Sequence, residues 1–118
     1  DRLPVFWTHA VGPDRITPNQ FVALTSTNPA RIFGLYPQKG CLAAGSDADL
    51  ALWDPNYELT YGVHVAQHRT DYNLYEGWQL KGFPRQVFLR GKRIVADQQW
   101  FGKAASGRYL MTHPGVIL

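Results

Sequence analysis

Apolar positions recur at helical spacing in the first third of the chain and give way to short apolar runs bounded by turns. Leu3 to Val11 predicts a short helix that Gly12-Pro13 ends, since proline disfavours helical backbone in the residue before it. Thr17-Pro18 offers an N-cap followed by proline at the first helical position. Phe21, Val22, Leu24 and Thr25 then form one apolar face. Thr27-Asn28-Pro29 repeats the device: Thr27 or Asn28 caps, Pro29 opens, and Ile32, Phe33 and Leu35 turn to a core. Gly34 stands where a left-handed C-terminal residue is wanted. The expectation for this stretch is two short helices joined by a cap.

Beyond Tyr36-Pro37 the texture is that of β-structure. Gly45-Ser46-Asp47 predicts a tight turn feeding Leu50 to Trp53, a run too short for a helix that reads as a buried strand stopping at Asp54-Pro55. Tyr57 to Tyr61 reads as a second strand, and Val63 to Asn73 is compatible with strand or loop. Gly77 to Lys81 and Arg85 to Leu89 follow as strands. Arg90-Gly91 then turns the chain into Lys92 to Ala96, the clearest hairpin pattern present. Gly102 to Leu118 is a tail that contains glycine, proline and serine. It still carries Tyr109, Leu110, Met111, Val116, Ile117 and Leu118, too few for a core of its own and therefore expected to dock on something.

Composition narrows the class. A hydrophobic share of 45% with 18% charged residues is that of a folded protein, and no segment is repetitive or of low complexity. The net charge of +3 is scattered, with only Arg90, Lys92 and Arg93 close together about a turn, so no basic stripe suggests nucleic acid. No apolar run approaches the ~20 residues of a membrane span. Cys41 is the single cysteine, which excludes an internal disulfide and a cysteine-based zinc cluster and fits a cytoplasmic setting. Met111 is the single methionine, so the chain reads as the C-terminal part of a longer protein, with removal of a leader peptide as the alternative.

Few residues suggest chemistry. His64 and His68 stand four apart, a spacing that places two ligands on one helical face, but no glutamate follows His64 and the surroundings suit a strand or loop as well. His9 and His113 are isolated. Cys41 lacks a neighbouring base that would make it a thiolate. Asp47, Asp49 and Asp54 resemble an acidic cluster, yet turn aspartates commonly bond to local amides, and calcium needs a denser ladder of ligands. The four tryptophans and six tyrosines read as core or interface anchors rather than a platform for bases.

Three stretches resemble one family. Ser26-Thr27-Asn28-Pro29-Ala30-Arg31-Ile32-Phe33-Gly34-Leu35-Tyr36-Pro37 is similar to the last barrel helix of hydantoinases and dihydropyrimidinases, cyclic-amide hydrolases of the amidohydrolase superfamily. Gly40 to Asp54 resembles the turn and strand that return such chains to a β-sandwich. Thr70-Asp71-Tyr72-Asn73-Leu74-Tyr75-Glu76-Gly77, the Val87 to Val95 hairpin and Gly107-Arg108-Tyr109-Leu110 resemble the remaining C-terminal part. The Asp71 to Gly77 phrase favours hydantoinase or dihydropyrimidinase over allantoinase or dihydroorotase.

The resemblance implies an α/β parent, a (β/α)8 barrel with a β-sandwich built from both chain ends. This chain would then be mostly β with two or three N-terminal helices: residues 1–37 the end of the barrel, 38–101 sandwich, and 102–118 a tail for subunit contact. It also implies opening of a cyclic ureide ring by a hydroxide held between two metals, usually zinc, which lower the pKa of bound water and polarise the attacked carbonyl. The ligands of that binuclear zinc site lie upstream of the matched region, so no catalytic, cofactor-binding or metal residue is assigned in this chain. Asp71 and Glu76 would sit in the sandwich, remote from the metals. The implied partners are the remainder of the parent chain and further copies in a homotetramer, with neither nucleic acid nor membrane. A metal-free, dihydropyrimidinase-like structural protein is the alternative, and a free-standing binding module a third reading.

Overall fold

The computed structural model describes residues 1–115 as helices laid against a four-stranded antiparallel sheet. Val116, Ile117 and Leu118 of the expected apolar tail lie outside the described residues. The first helical stretch is α1 (Arg2–Phe6), continued by a π-helical turn (Trp7–Val11). The second is α2 (Pro18–Val22), a second π-helical turn (Ala23–Thr27) and α3 (Asn28–Ile32). Among the described residues no helix is long and apolar enough to cross a membrane.

The start of α2 follows the sequence reading. Thr17 is extended, its hydroxyl accepts the Gln20 amide at 3.2 Å, and Gln20 Oε1 accepts the Thr17 amide at 2.8 Å, closing a capping box ahead of Pro18. The second cap, by contrast, does not exist. Thr27 has helical backbone (φ −66°, ψ −48°), and the chain runs through it without a break. The π turn is the physical reason: Asn28 donates to the carbonyl of Ala23, five residues back, which widens the helix just where Pro29 can offer no amide. The Thr27 hydroxyl donates instead to the carbonyl of Gly40 at 2.8 Å. The far end is as expected. Gly34 (φ +65°) donates to Arg31 and Leu35 donates to Ala30, the paired bonds of a Schellman cap.

The sheet has the order β1-β2-β3-β4, with β1 (Leu50–Thr60), β2 (Gln79–Leu89), β3 (Lys92–Ala96) and β4 (Gln99–Trp100). The four strands expected before the hairpin turn are two long, irregular ones. β1 passes through Pro55 because the pairing skips from Asp54↔Phe83 to Glu58↔Lys81, so the proline falls in a bulge where no ladder amide is required. Asp54 accepts the Asn56 amide at 2.9 Å within that bulge. β2 likewise passes through Gly82 and Pro84, and a second shift lies between Leu52 and Trp53. The Arg90-Gly91 turn has positive φ at both residues (48° and 77°), and β3 has the expected bounds.

β4 was not legible in the sequence. Its turn, Asp97-Gln98, also takes positive φ twice (46° and 66°) but contains no glycine. Asp97 is held there by the Arg85 guanidinium and by donating its amide to the Arg85 carbonyl.

The core is small. Tyr61, Leu80 and Phe83 are buried together with Val5, Tyr57, Leu59, Val65, Ala66 and Tyr75 around them. Of the helical residues expected in the core, Phe21 is buried; Leu24, Ile32 and Phe33 lie exposed, and Leu35 is half-buried. Leu52 is also exposed, so the first expected strand is not a buried one within this chain.

Candidate functional site

The Gly40 to Asp54 segment, the richest in acidic side chains, is built around a lysine just ahead of it. Gly45 (φ +92°) and the bond from the Ser46 amide to the Ala43 carbonyl make the expected tight turn. That turn brings Asp47 and Asp49 together on Lys39: the ammonium lies 2.9 Å from Asp47 Oδ2 and contacts Asp49 Oδ2 as well. Asp49 uses its other oxygen to accept the Arg90 amide at 2.8 Å, and the Gly91 amide donates to the Ala48 carbonyl. Two carboxylates, one ammonium and the β2–β3 turn thus form one clamp. The Lys39 ammonium holds the Asp47 carboxyl below its usual range by a hydrogen bond. Partial burial works against the Lys39 charge, but the bonds to Asp49 and Asp47 carry its pKa above the usual lysine value. Both ions are thereby occupied with each other. Lys39 was missed by the sequence reading; its signal was a lone cation separated from Asp47, Asp49 and Asp54 only by the Gly40 to Ser46 turn segment.

The remaining candidates do not converge. His64 lies exposed in a turn, and His68 is bonded to Thr70 (2.6 Å) and Asn73 (3.0 Å), so their spacing does not place them on a helix. Glu76 accepts the Val63 amide at 2.9 Å and closes the loop between β1 and β2, while Asp71 is exposed. Cys41 and Ser46 share the carbonyl of Pro37, at 3.3 and 2.8 Å, and neither has a base beside it. His9 stands edge-on to Trp78 with ring centres 5.3 Å apart. His113 donates its backbone amide to Gly34. Among the described residues no three His, Cys, Asp or Glu side chains gather as a metal site would require. The described residues thus include no cluster that would hold the binuclear zinc the family resemblance implies.

Helix and sheet are joined by contacts that the sequence did not announce. The Thr8 hydroxyl accepts the Lys81 amide at 2.9 Å and lies within bonding distance of the carbonyls of Pro4 (2.8 Å) and Lys81 (2.9 Å), between which its one hydrogen must choose. Beside it Phe6, Trp7, Phe21 and Trp53 pack as a cluster, with ring centres 5.1 to 5.6 Å apart. An open groove lined by Phe6, His9, Leu24, Pro29 and Tyr75 runs along the helices. It is mostly apolar, and the Thr25 hydroxyl on its wall donates to the Phe21 carbonyl at 2.7 Å.

Comparison with known proteins supplies what the geometry does not. The model of the amidohydrolase family matches residues 5–94. A D-hydantoinase from Ralstonia pickettii is 45% identical over 100 residues, covering 85% of this chain and 22% of the relative. A D-hydantoinase from Geobacillus stearothermophilus is 41% identical over 110 residues, covering 93% of this chain and 23% of the relative. The crystal structure of dihydropyrimidinase from Brevibacillus agri superposes with a TM-score of 0.94 at 38% identity, over 98% of this chain and 25% of that one. The chain thus spans about a quarter of the length of the relatives it matches.

Proposed function

Since this chain belongs to the amidohydrolase family, we propose that it is the C-terminal portion of a metal-dependent cyclic-amide hydrolase of the hydantoinase or dihydropyrimidinase type. The single observation that supports the reading best is 45% identity to a D-hydantoinase over 85% of this chain. The reaction proposed for the whole protein is hydrolysis of a ring C–N bond in hydantoins or dihydropyrimidines. Its metals would be held by residues outside this chain. The role proposed for the chain itself is scaffolding, with residues 1–37 closing a barrel domain, 38–101 forming part of a sandwich, and 102–118 meeting a neighbouring subunit of a cytoplasmic homotetramer.

The test is the full-length protein. Its upstream sequence is expected to carry a His-x-His pair and a lysine suited to carboxylation, and the purified enzyme to open hydantoin or dihydrouracil. Treatment with a chelator is expected to abolish that activity, and added zinc to restore it. A full-length protein lacking those ligands and inert toward both rings would establish the metal-free structural relative instead. Truncation after Lys103 is expected to lower the mass seen by light scattering, and an unchanged mass would remove the tail from the subunit contact.

A further inference from the structure

The segment after β4 does not leave the molecule freely. Arg90, at the β2–β3 turn, donates from Nη2 to the Ser106 carbonyl at 2.5 Å. Asp47, held chiefly by Lys39, also feels the charge of Arg108. Further on, the His113 amide donates to the Gly34 carbonyl at 3.0 Å. Here two backbones touch. A Cβ built on Gly34 would lie 1.7 Å from the His113 carbonyl oxygen, and one on Gly115 would lie 1.9 Å from the carbonyl oxygen of Ile32. Real Cβ atoms do not approach so closely, so a glycine is required on each side of the crossing. Between the anchors, Tyr109 and Met111 are exposed.

We propose that residues 106–115 form an intramolecular strap, rooted at the sheet and latched at the C-terminal end of α3 by the Gly34–His113–Gly115 crossing. The strap joins helices to sheet by a route separate from residues 33–49. It holds Tyr109 and Met111 outward in a fixed place, where a tail without anchors would only dangle. These contacts all lie within this chain, so the strap holds whether or not the parent is a hydrolase.

Limited trypsin digestion of the full-length protein, followed by mass spectrometry of the cut after Arg108, tests it. A latched segment is cleaved only when it opens locally, so Gly115→Ala is expected to accelerate that cut by about tenfold or more. His113→Pro, which removes the donor amide, is expected to do the same. Gly107→Ala is the control, because a Cβ there meets nothing within 4 Å, and it is expected to leave the rate at the wild-type value. The strap is overturned if Gly115→Ala and His113→Pro are both cut at the wild-type rate, or if Gly107→Ala accelerates the cut as much as they do.

Discussion

Lys39 illustrates how much one side chain decides. The three aspartates were visible in the sequence, but their spacing could not reveal that one ammonium would collect two of them. Only the fold places Asp49 beside Arg90, 41 positions along the chain. The clamp carries a pH signature. The Asp47 pKa is lowered from 3.8, so its contribution to stability is present above that value and is lost as pH falls through the folded-state pKa. The Lys39 pKa is raised from 10.5, so its contribution is complete below that value and is lost as pH rises through the folded-state pKa. The stability gap between wild type and Lys39→Met, read from urea midpoints, is therefore expected to be widest between pH 3.8 and 10.5 and to narrow on both sides. A gap independent of pH would show that Lys39 acts through packing alone. Leu80 is the deepest side chain, 1% exposed, and Leu80→Ala in the full-length protein is expected to cost about 2–5 kcal/mol by urea denaturation.

At the scale of elements, the pattern located helices and strands well and their continuity poorly. Pro29 was read as opening a new helix and Pro55 as ending a strand, and in both places the chain runs on because a π turn or a bulge removes the need for an amide. Such devices depend on what lies across the helix or on the next strand, which local composition does not report. The bulge at Gly82 has a second purpose. Its backbone is left-handed (φ +87°), and a Cβ there would sit 2.1 Å from the Trp7 indole, so the bare backbone is the seat of the first helical stretch. Gly82→Ala is expected to destabilise the full-length protein by more than about 1 kcal/mol through φ strain and collision together. Adding Trp7→Ala should relieve the collision and leave the strain; a double variant whose loss equals the sum of the two single losses would show that the glycine serves the backbone only.

For the whole molecule, the sequence conveyed the family, as the amidohydrolase match over residues 5–94 and 45% identity to a D-hydantoinase show, while its acidic cluster proved to be a clamp about Lys39. Burial tells the same story from the other direction. Leu24, Ile32, Phe33 and Leu52 are exposed in a chain whose core centres on Tyr61, Leu80 and Phe83. Burying a side chain of that size is worth roughly 1.5–3 kcal/mol, and a whole domain is held by only about 5–15 kcal/mol. The isolated 118-residue chain is accordingly expected to self-associate and to melt without a sharp transition. A monomeric mass together with one cooperative calorimetric peak would show that it needs no larger partner.

The π turn at Ala23–Thr27 also sets a phase. An α-helix advances about 100° per residue, so a turn holding one residue more than usual rotates everything after it by about that angle. Ile32 and Phe33 consequently point where a straight helical wheel drawn from Phe21 would not put them. Removing Ser26 would restore the regular winding and swing α3 around its axis. The Thr27 tether to Gly40 would then be pulled away from its carbonyl, and the Gly34 carbonyl away from His113. The extra residue therefore works as a gear tooth: helix, loop and strap mesh only with the count unchanged.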